Sequence, residues 1–206
     1  MEWYQWLAIA CLAVDIAGLI IHLTRLISLG KPKDLSHQKG DIVPSLMYAF
    51  SGAMSPTRKE SAFLHIPTYI AGIFYHLGTF VSIFVFFFFL AQIAINEPIA
   101  QFIAGFLAIA VLCGFGILIK RMVIKRLRTL SNPDDYISNL LVTFFQLLTA
   151  AVLLHENWQP AYYIIVSILL VYIPLGKLKH AVYFFAARYH LGYFYGWRGV
   201  WPPKKI

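Results

Sequence analysis

Apolar residues run along this chain in long blocks, and the polar ones are confined to short breaks between them. A helix needs about 20 apolar residues to cross the hydrocarbon of a bilayer, and five blocks reach that length, at roughly 4–29, 62–94, 99–119, 136–154 and 160–187. Neither a two-residue alternation nor a Gly-rich run interrupts them, so the expectation is an all-α, integral membrane five-helix bundle. It forms a single domain over residues 1–206 with a C-terminal extension at 188–206. The first block is long and has no small-residue cleavage site, and it reads as a retained span rather than a signal peptide. Connections near 94–99 and 155–160 are short, which makes neighbouring spans antiparallel. The longer 30–60 segment contains "IVPSLMYAF", which reads as a short surface helix, and "FVFFFFL" in the second block reads as lipid-facing.

Composition agrees with a membrane solvent: 60% of the residues are hydrophobic and only 13% are charged. The formal charge of +8 does not form a stripe suited to nucleic acid. Its 17 cations are Arg25, Lys31, Lys33, Lys39, Arg58, Lys59, Lys120, Arg121, Lys125, Arg126, Arg128, Lys177, Lys179, Arg188, Arg198, Lys204 and Lys205. None falls at the N-terminal tip, in "INEPIAQ" or in "HENWQP". Every cation therefore sits at alternate ends of the five spans, and the positive-inside rule places the N-terminus outside and the C-terminus in the cytoplasm. The charge is topological, and nucleic acid is excluded as a partner. Cys11 and Cys113 each lie inside a span with no C-x-x-C or C-x-x-C-H spacing, so no iron–sulfur cluster and no covalently attached haem is encoded. Both read as small apolar fillers.

The chemistry that stands out is histidine in apolar text. His65 and His76 lie eleven residues apart in the second block, about 16 Å of helical rise and about 20° of rotation. In the fifth block His180 and His190 lie ten apart, about 15 Å along a helix and about 80° out of phase. The two blocks run in opposite directions, so His76 is matched in height with His180 and His65 with His190. Two matched pairs on facing helices are the ligand set of two stacked bis-histidine haems held between spans 2 and 5. A bend after Pro174 is expected to absorb the phase difference. Gly72, Gly78, Ala181, Ala186, Ala187 and Gly192 leave room for a flat macrocycle, and Arg25, Lys177, Lys179 and Arg188 are placed for its propionates. Intramembrane histidines also serve proton relays or pack as hydrogen-bonded helix contacts. Zinc fits poorly, because pairs about 15 Å apart do not share one ion. His22 reads as a helix contact, Asp15 as a carboxyl group in lipid without a basic partner, and His37 and His155 as solvated loop residues.

Two stretches carry a family resemblance. "YHLGTF", with His76, and "PLGKLKH", with His180, resemble the signature regions of the respiratory nitrate reductase gamma-subunit family, five-span dihaem cytochromes b. The resemblance extends from the first span through the fifth. It implies haem b on His76 and His180, nearest the cytoplasm. The family's second haem takes a histidine ten residues after the first and another eighteen before the last, and here those positions are Phe86 and Tyr162. With His65 in "KESAFLHIPTYIAG" and His190 in "FFAARYHLGYFYGWRG", the chain looks more like the membrane subunits of heterodisulfide-reductase-like and sulfite-reductase-linked complexes. That likeness implies a prokaryotic inner (cytoplasmic) membrane, two haems b (one if only His76 and His180 are ligands), and quinone or quinol as substrate. It also implies an iron–sulfur partner subunit on the cytoplasmic side. The function expected is electron transfer between the quinone pool and that partner, with substrate chemistry in another subunit. The competing expectation is a haem-free transporter or proton relay built on the same histidines. A bare membrane anchor for a soluble enzyme is the third.

Overall fold

A computed structural model describes residues 1–30, 35–55, 58 and 64–203. Lys31, Lys33, Lys59, Lys204, Lys205 and the expected start of the second span at 62–63 lie outside the described residues. The helices are α1 (Trp3–Ser28), α2 (Ile42–Phe50), α3 (Ile66–Leu90), α4 (Glu97–Val123), α5 (Lys125–Thr129), α6 (Pro133–Leu154), α7 (Gln159–Leu175) and α8 (His180–Trp197). No strand occurs among the described residues. Five helical segments are long and apolar enough to cross a membrane: Trp3–Ser28, Ile66–Leu90, Glu97–Val123, Pro133–Leu154 and Glu156–Leu175. The chain is an integral membrane protein of the all-α class.

Its boundaries have local causes. Asn96 caps α4 by accepting from the Ile99 amide at 3.2 Å, and Pro98 occupies the first turn, where a missing N–H costs nothing. Before α6, Asn132 and Asp135 form a capping box: each side chain accepts from the other's backbone amide at 3.0 Å. Pro67 falls at the start of α3 and so begins a helix rather than bending one. Pro174 sits in the last turn of α7. The chain then leaves the helix at Gly176 and passes through a 3₁₀ turn at Lys177–Lys179 before α8. The fifth expected span is therefore two helices.

Packing divides the chain into two compact units, residues 1–18 with 67–178, and residues 19–66 with 179–206. In the first unit, Ala8, Phe86, Val142, Phe145, Tyr162, Tyr163, Val166 and Leu169 form the apolar centre. "FVFFFFL" is only partly lipid-facing: Phe84 is 67% exposed, but Val85 and Phe86 are buried in that centre. The ends of the unit differ in chemistry. At one, Asp135 accepts from Lys177 and pairs with Arg121 at 3.3 Å, and Lys120 donates to the Thr68 hydroxyl. At the other, Gln5, Glu97, His155, Glu156 and Gln159 meet without a Lys or Arg. The cation-bearing end of α4 and Lys177, just after α7, thus gather with the starts of α3 and α6.

In the second unit, α2 is the short helix expected at 42–50, and it packs on α8 through small residues. The Ser45 hydroxyl donates to the Gly192 carbonyl at 2.7 Å. A Cβ at Gly192 would lie 2.9 Å from Leu46, and one at Gly196 2.6 Å from the Ser45 Cβ. The strap continues where the Lys39 amide donates to the Trp197 carbonyl at 2.8 Å, and the Trp197 indole donates to the Ser36 carbonyl at 2.8 Å.

Asp135 is at once a capping residue and the acceptor for two cations, whereas neighbouring Asp134 holds no ion pair within salt-bridge distance among the described residues. Asp135→Ala is expected to destabilise the protein by about 1–3 kcal/mol. Asp134→Ala should cost clearly less, as read by thermal unfolding of the purified protein in detergent.

Candidate functional site

The four candidate ligands do not share one setting. His76 belongs to the first unit, and His65, His180 and His190 belong to the second. On α3 the buried residues are Gly78, Ser82, Val85 and Phe86. His76 precedes Gly78 by two residues, about 200° around the helix, and its side chain is exposed. It therefore stands on the face turned away from α4 and α6. Its neighbours one turn either way are Gly72 and Phe80. A Cβ at Gly72 would meet no heavy atom within 4 Å. That face is apolar, with Ile73, Leu77 and Phe80 exposed around the His76 imidazole. An exposed imidazole on an apolar face is chemically able to bind a haem iron.

His65 lies in the turn before α3, exposed, and not on the helix itself. The regular eleven-residue rise from His65 to His76 therefore does not hold over its first residue. His180 is the first residue of α8, also exposed, and His190 is half-buried ten residues along the same helix. The break at Gly176–Lys179 comes before His180, not between the two histidines. It does not absorb their phase difference, and the two imidazoles leave α8 about 80° apart. His190 lies two residues before Gly192, which faces α2, and so projects from the other side of α8.

Several residues expected around a macrocycle have other work. A Cβ at Gly78 would run into the Ala110 methyl and lie 3.1 Å from Gln146 Oε1, so this glycine closes α3 onto α4 and α6. Gly192 closes α8 onto α2. Lys177 is held by Asp135. Arg188 contacts the Met54 sulfur and lies 5.7 Å from the Phe184 ring centroid. His22 makes the helix contact expected of it, with Nδ1 3.1 Å from the Tyr183 hydroxyl on α8. Asp15 is buried, and its Oδ1 has no hydrogen-bond partner among the described residues.

At the positions where the resemblance puts a second haem, the first unit is filled. Phe86 is 4% and Tyr162 0% exposed. The Tyr162 ring stacks on Phe145 at 6.1 Å and meets Phe89 edge-on at 5.7 Å. No group of three or more His, Cys, Asp or Glu side chains suited to a metal ion gathers among the described residues. An axial haem ligand set needs no such group.

Neither a family model, a curated protein nor a solved structure matches the chain. The resemblance to the nitrate reductase gamma-subunit family rests on the Tyr75–Phe80 and Pro174–His180 stretches and on the histidine spacing alone.

What reading the sequence by its histidines missed is a polar row on α6: Asp135, Ser138, Asn139, Thr143, Gln146 and Thr149. The signal was present, because polar residues recur every three or four positions through "PDDYISNLLVTFFQLLT".

The aromatic filling gives a direct expectation. The double variant Phe86→His/Tyr162→His should gain no haem b, as counted by pyridine haemochrome. It should also lower the unfolding temperature, since two packed rings are lost from a close-packed centre.

Proposed function

We propose that the chain is a membrane cytochrome b subunit. On this reading it passes electrons between the membrane quinone pool and an iron–sulfur partner subunit at its Lys/Arg-rich, cytoplasmic face. The observation that carries the reading is the setting of His76, an exposed imidazole on an apolar helix face with Gly72 open beside it.

His76 and His180 would hold one haem b, and His65 and His190 a second. A haem so held supplies reversible one-electron chemistry at its iron. The chain would fix the imidazoles, and Ile73, Leu77 and Phe80, exposed on α3, would offer the group an apolar surface. Burial and nearby charge then set its potential. Arg121, Lys125, Arg126 and Arg128 give the connection after α4 a dense positive charge, which favours encounter with an acidic partner surface. The N-terminus outside and C-terminus in the cytoplasm follow from the same cations. The sequence carries no cluster, flavin or dinucleotide motif, and on this reading substrate chemistry belongs to the partner.

Protein purified from haem-replete cells is expected to carry two haems b per chain by pyridine haemochrome. His65→Ala or His190→Ala should leave one, and His76→Ala or His180→Ala should remove the other. A single haem indifferent to His65 and His190 would leave only the His76–His180 pair. A colourless protein would overturn the cytochrome reading in favour of a histidine relay.

A further inference from the structure

The chain's net charge is not shared between its two units. Residues 1–18 with 67–178 hold six Lys or Arg and six Asp or Glu, and their formal charge is zero. Residues 19–66 with 179–206 hold eleven Lys or Arg against three Asp or Glu, which is the whole of the +8.

This basic unit is bound to the bilayer by its own residues. It takes in residues 19–28, the last turns of the first span, with Arg25 in the final one. The start of α8 is fastened to them: His22 Nδ1 lies 3.1 Å from the Tyr183 hydroxyl, and the two rings meet edge-on at 5.9 Å. The first turn of α8 therefore lies level with the end of a spanning helix. Among the described residues α8 is not one of the helices long and apolar enough to span the membrane itself.

Its outer surface combines charge with apolar rings. Positions 184, 188, 191, 194 and 198 fall in one stripe about 120° wide, which reads Phe, Arg, Leu, Phe, Arg. Phe184, Leu191 and Phe194 are exposed. The Arg188 guanidinium lies 5.7 Å from the Phe184 ring centroid and that of Arg198 3.7 Å from the Phe194 centroid, so each cation is held beside an exposed ring. Gly192 and Gly196, which close on α2, leave the helix on another side. On α2, Val43, Met47 and Phe50 are exposed, opposite the Ser45 and Ala49 that meet α8.

Two apolar faces turned away from each other would need two separate protein partners, whereas lipid covers both at once. Exposed rings with arginines among them suit the boundary between acyl chains and headgroups. Neutral lipid would cover the apolar side chains and leave the positive charge unbalanced. An anionic headgroup meets both demands, and a guanidinium fork matches a phosphate with two parallel hydrogen bonds.

We infer that the second unit lies in the headgroup boundary of the bilayer and that the Phe184–Arg198 stripe of α8 binds acidic phospholipid. Arg188 and Arg198 take the headgroup phosphates, and Phe184, Leu191 and Phe194 lie against the upper acyl chains. No candidate haem ligand enters the assignment, so it stands or falls apart from the cytochrome reading.

The test uses the full-length chain in nanodiscs of phosphatidylcholine and phosphatidylglycerol. Cys11 and Cys113 are replaced by alanine, and a bimane fluorophore is attached through Leu191→Cys, between the two arginines. Bromine on the acyl chains of one lipid or the other, at fixed composition, quenches the fluorophore on contact. Brominated phosphatidylglycerol should quench more, molecule for molecule, than brominated phosphatidylcholine. A label attached through Phe102→Cys, at a position 78% exposed on α4 in the neutral unit, should meet the two lipids in proportion. Arg188→Gln and Arg198→Gln should each lower the preference at Leu191→Cys by up to about fivefold. Replacing the same arginines by lysine should keep most of it. A label that neither brominated lipid quenches would put this face in water or against protein and overturn the inference. So would equal quenching by the two lipids, or a preference that survives both glutamine substitutions together.

Discussion

A polar group inside a bilayer must find its partner within the protein, and that constraint arranges the first unit. Its sharpest expression is Asp135. One carboxylate completes the cap of α6, pairs with Arg121 at the end of α4 and accepts from Lys177 after α7. Three chain segments are thereby tied where the spans leave the apolar layer. Lys120 makes a similar tie to Thr68 at the start of α3. Such contacts at a wet, partly exposed edge are individually modest. Their value lies in register: they fix which turn of each helix faces which, and the small-residue contacts deeper in the bundle depend on that choice. Gly78 meets Ala110 and Gln146, and Gly114 meets Tyr75 and Thr143, only in one vertical alignment.

The same constraint separates two kinds of polar residue in the spans. Those on α6 face inward and are bonded to neighbouring helices through Tyr75, Thr79 and Tyr172. His76 faces outward on α3, where the helices of its own unit offer an apolar surface and an open glycine. Inward polarity is expected of helix association. The exposed imidazole of His76 is instead the observation on which the proposed cytochrome function rests.

Much of the architecture was legible in the residue order because bilayer thickness sets a length that sequence displays directly. The five blocks and the short connections have structural counterparts, and within the first unit Lys120, Arg121 and Lys177 gather at one end. The legible part stopped where identity does not determine direction. Gly78 and Gly192 are small, and small residues suit either a bound ring or a close helix contact; only the neighbours Ala110 and Leu46 decide for the contact. The break at Gly176 was hidden by continuous apolar text on both sides of "GKLK", since hydropathy does not record a change of helix axis. Pro174 announced a disturbance but not its place relative to His180, and that place removes the bend as a remedy for the phase of His180 and His190.

The phase difference bears on how α8 presents His180 and His190. Side chains about 80° apart on one straight helix leave it in different directions, so a single partner helix parallel to α8 meets one of them squarely and the other obliquely. His65 is free of the matching restriction, because it sits in the turn before α3 rather than on its helical lattice. A turn residue can take a direction that a helix position would forbid. The departure of His65 from the helix and the lack of a bend between His180 and His190 are thus opposite in effect. The pair that looked most regular in sequence, His65 and His76, owes whatever adaptability it has to its irregular member.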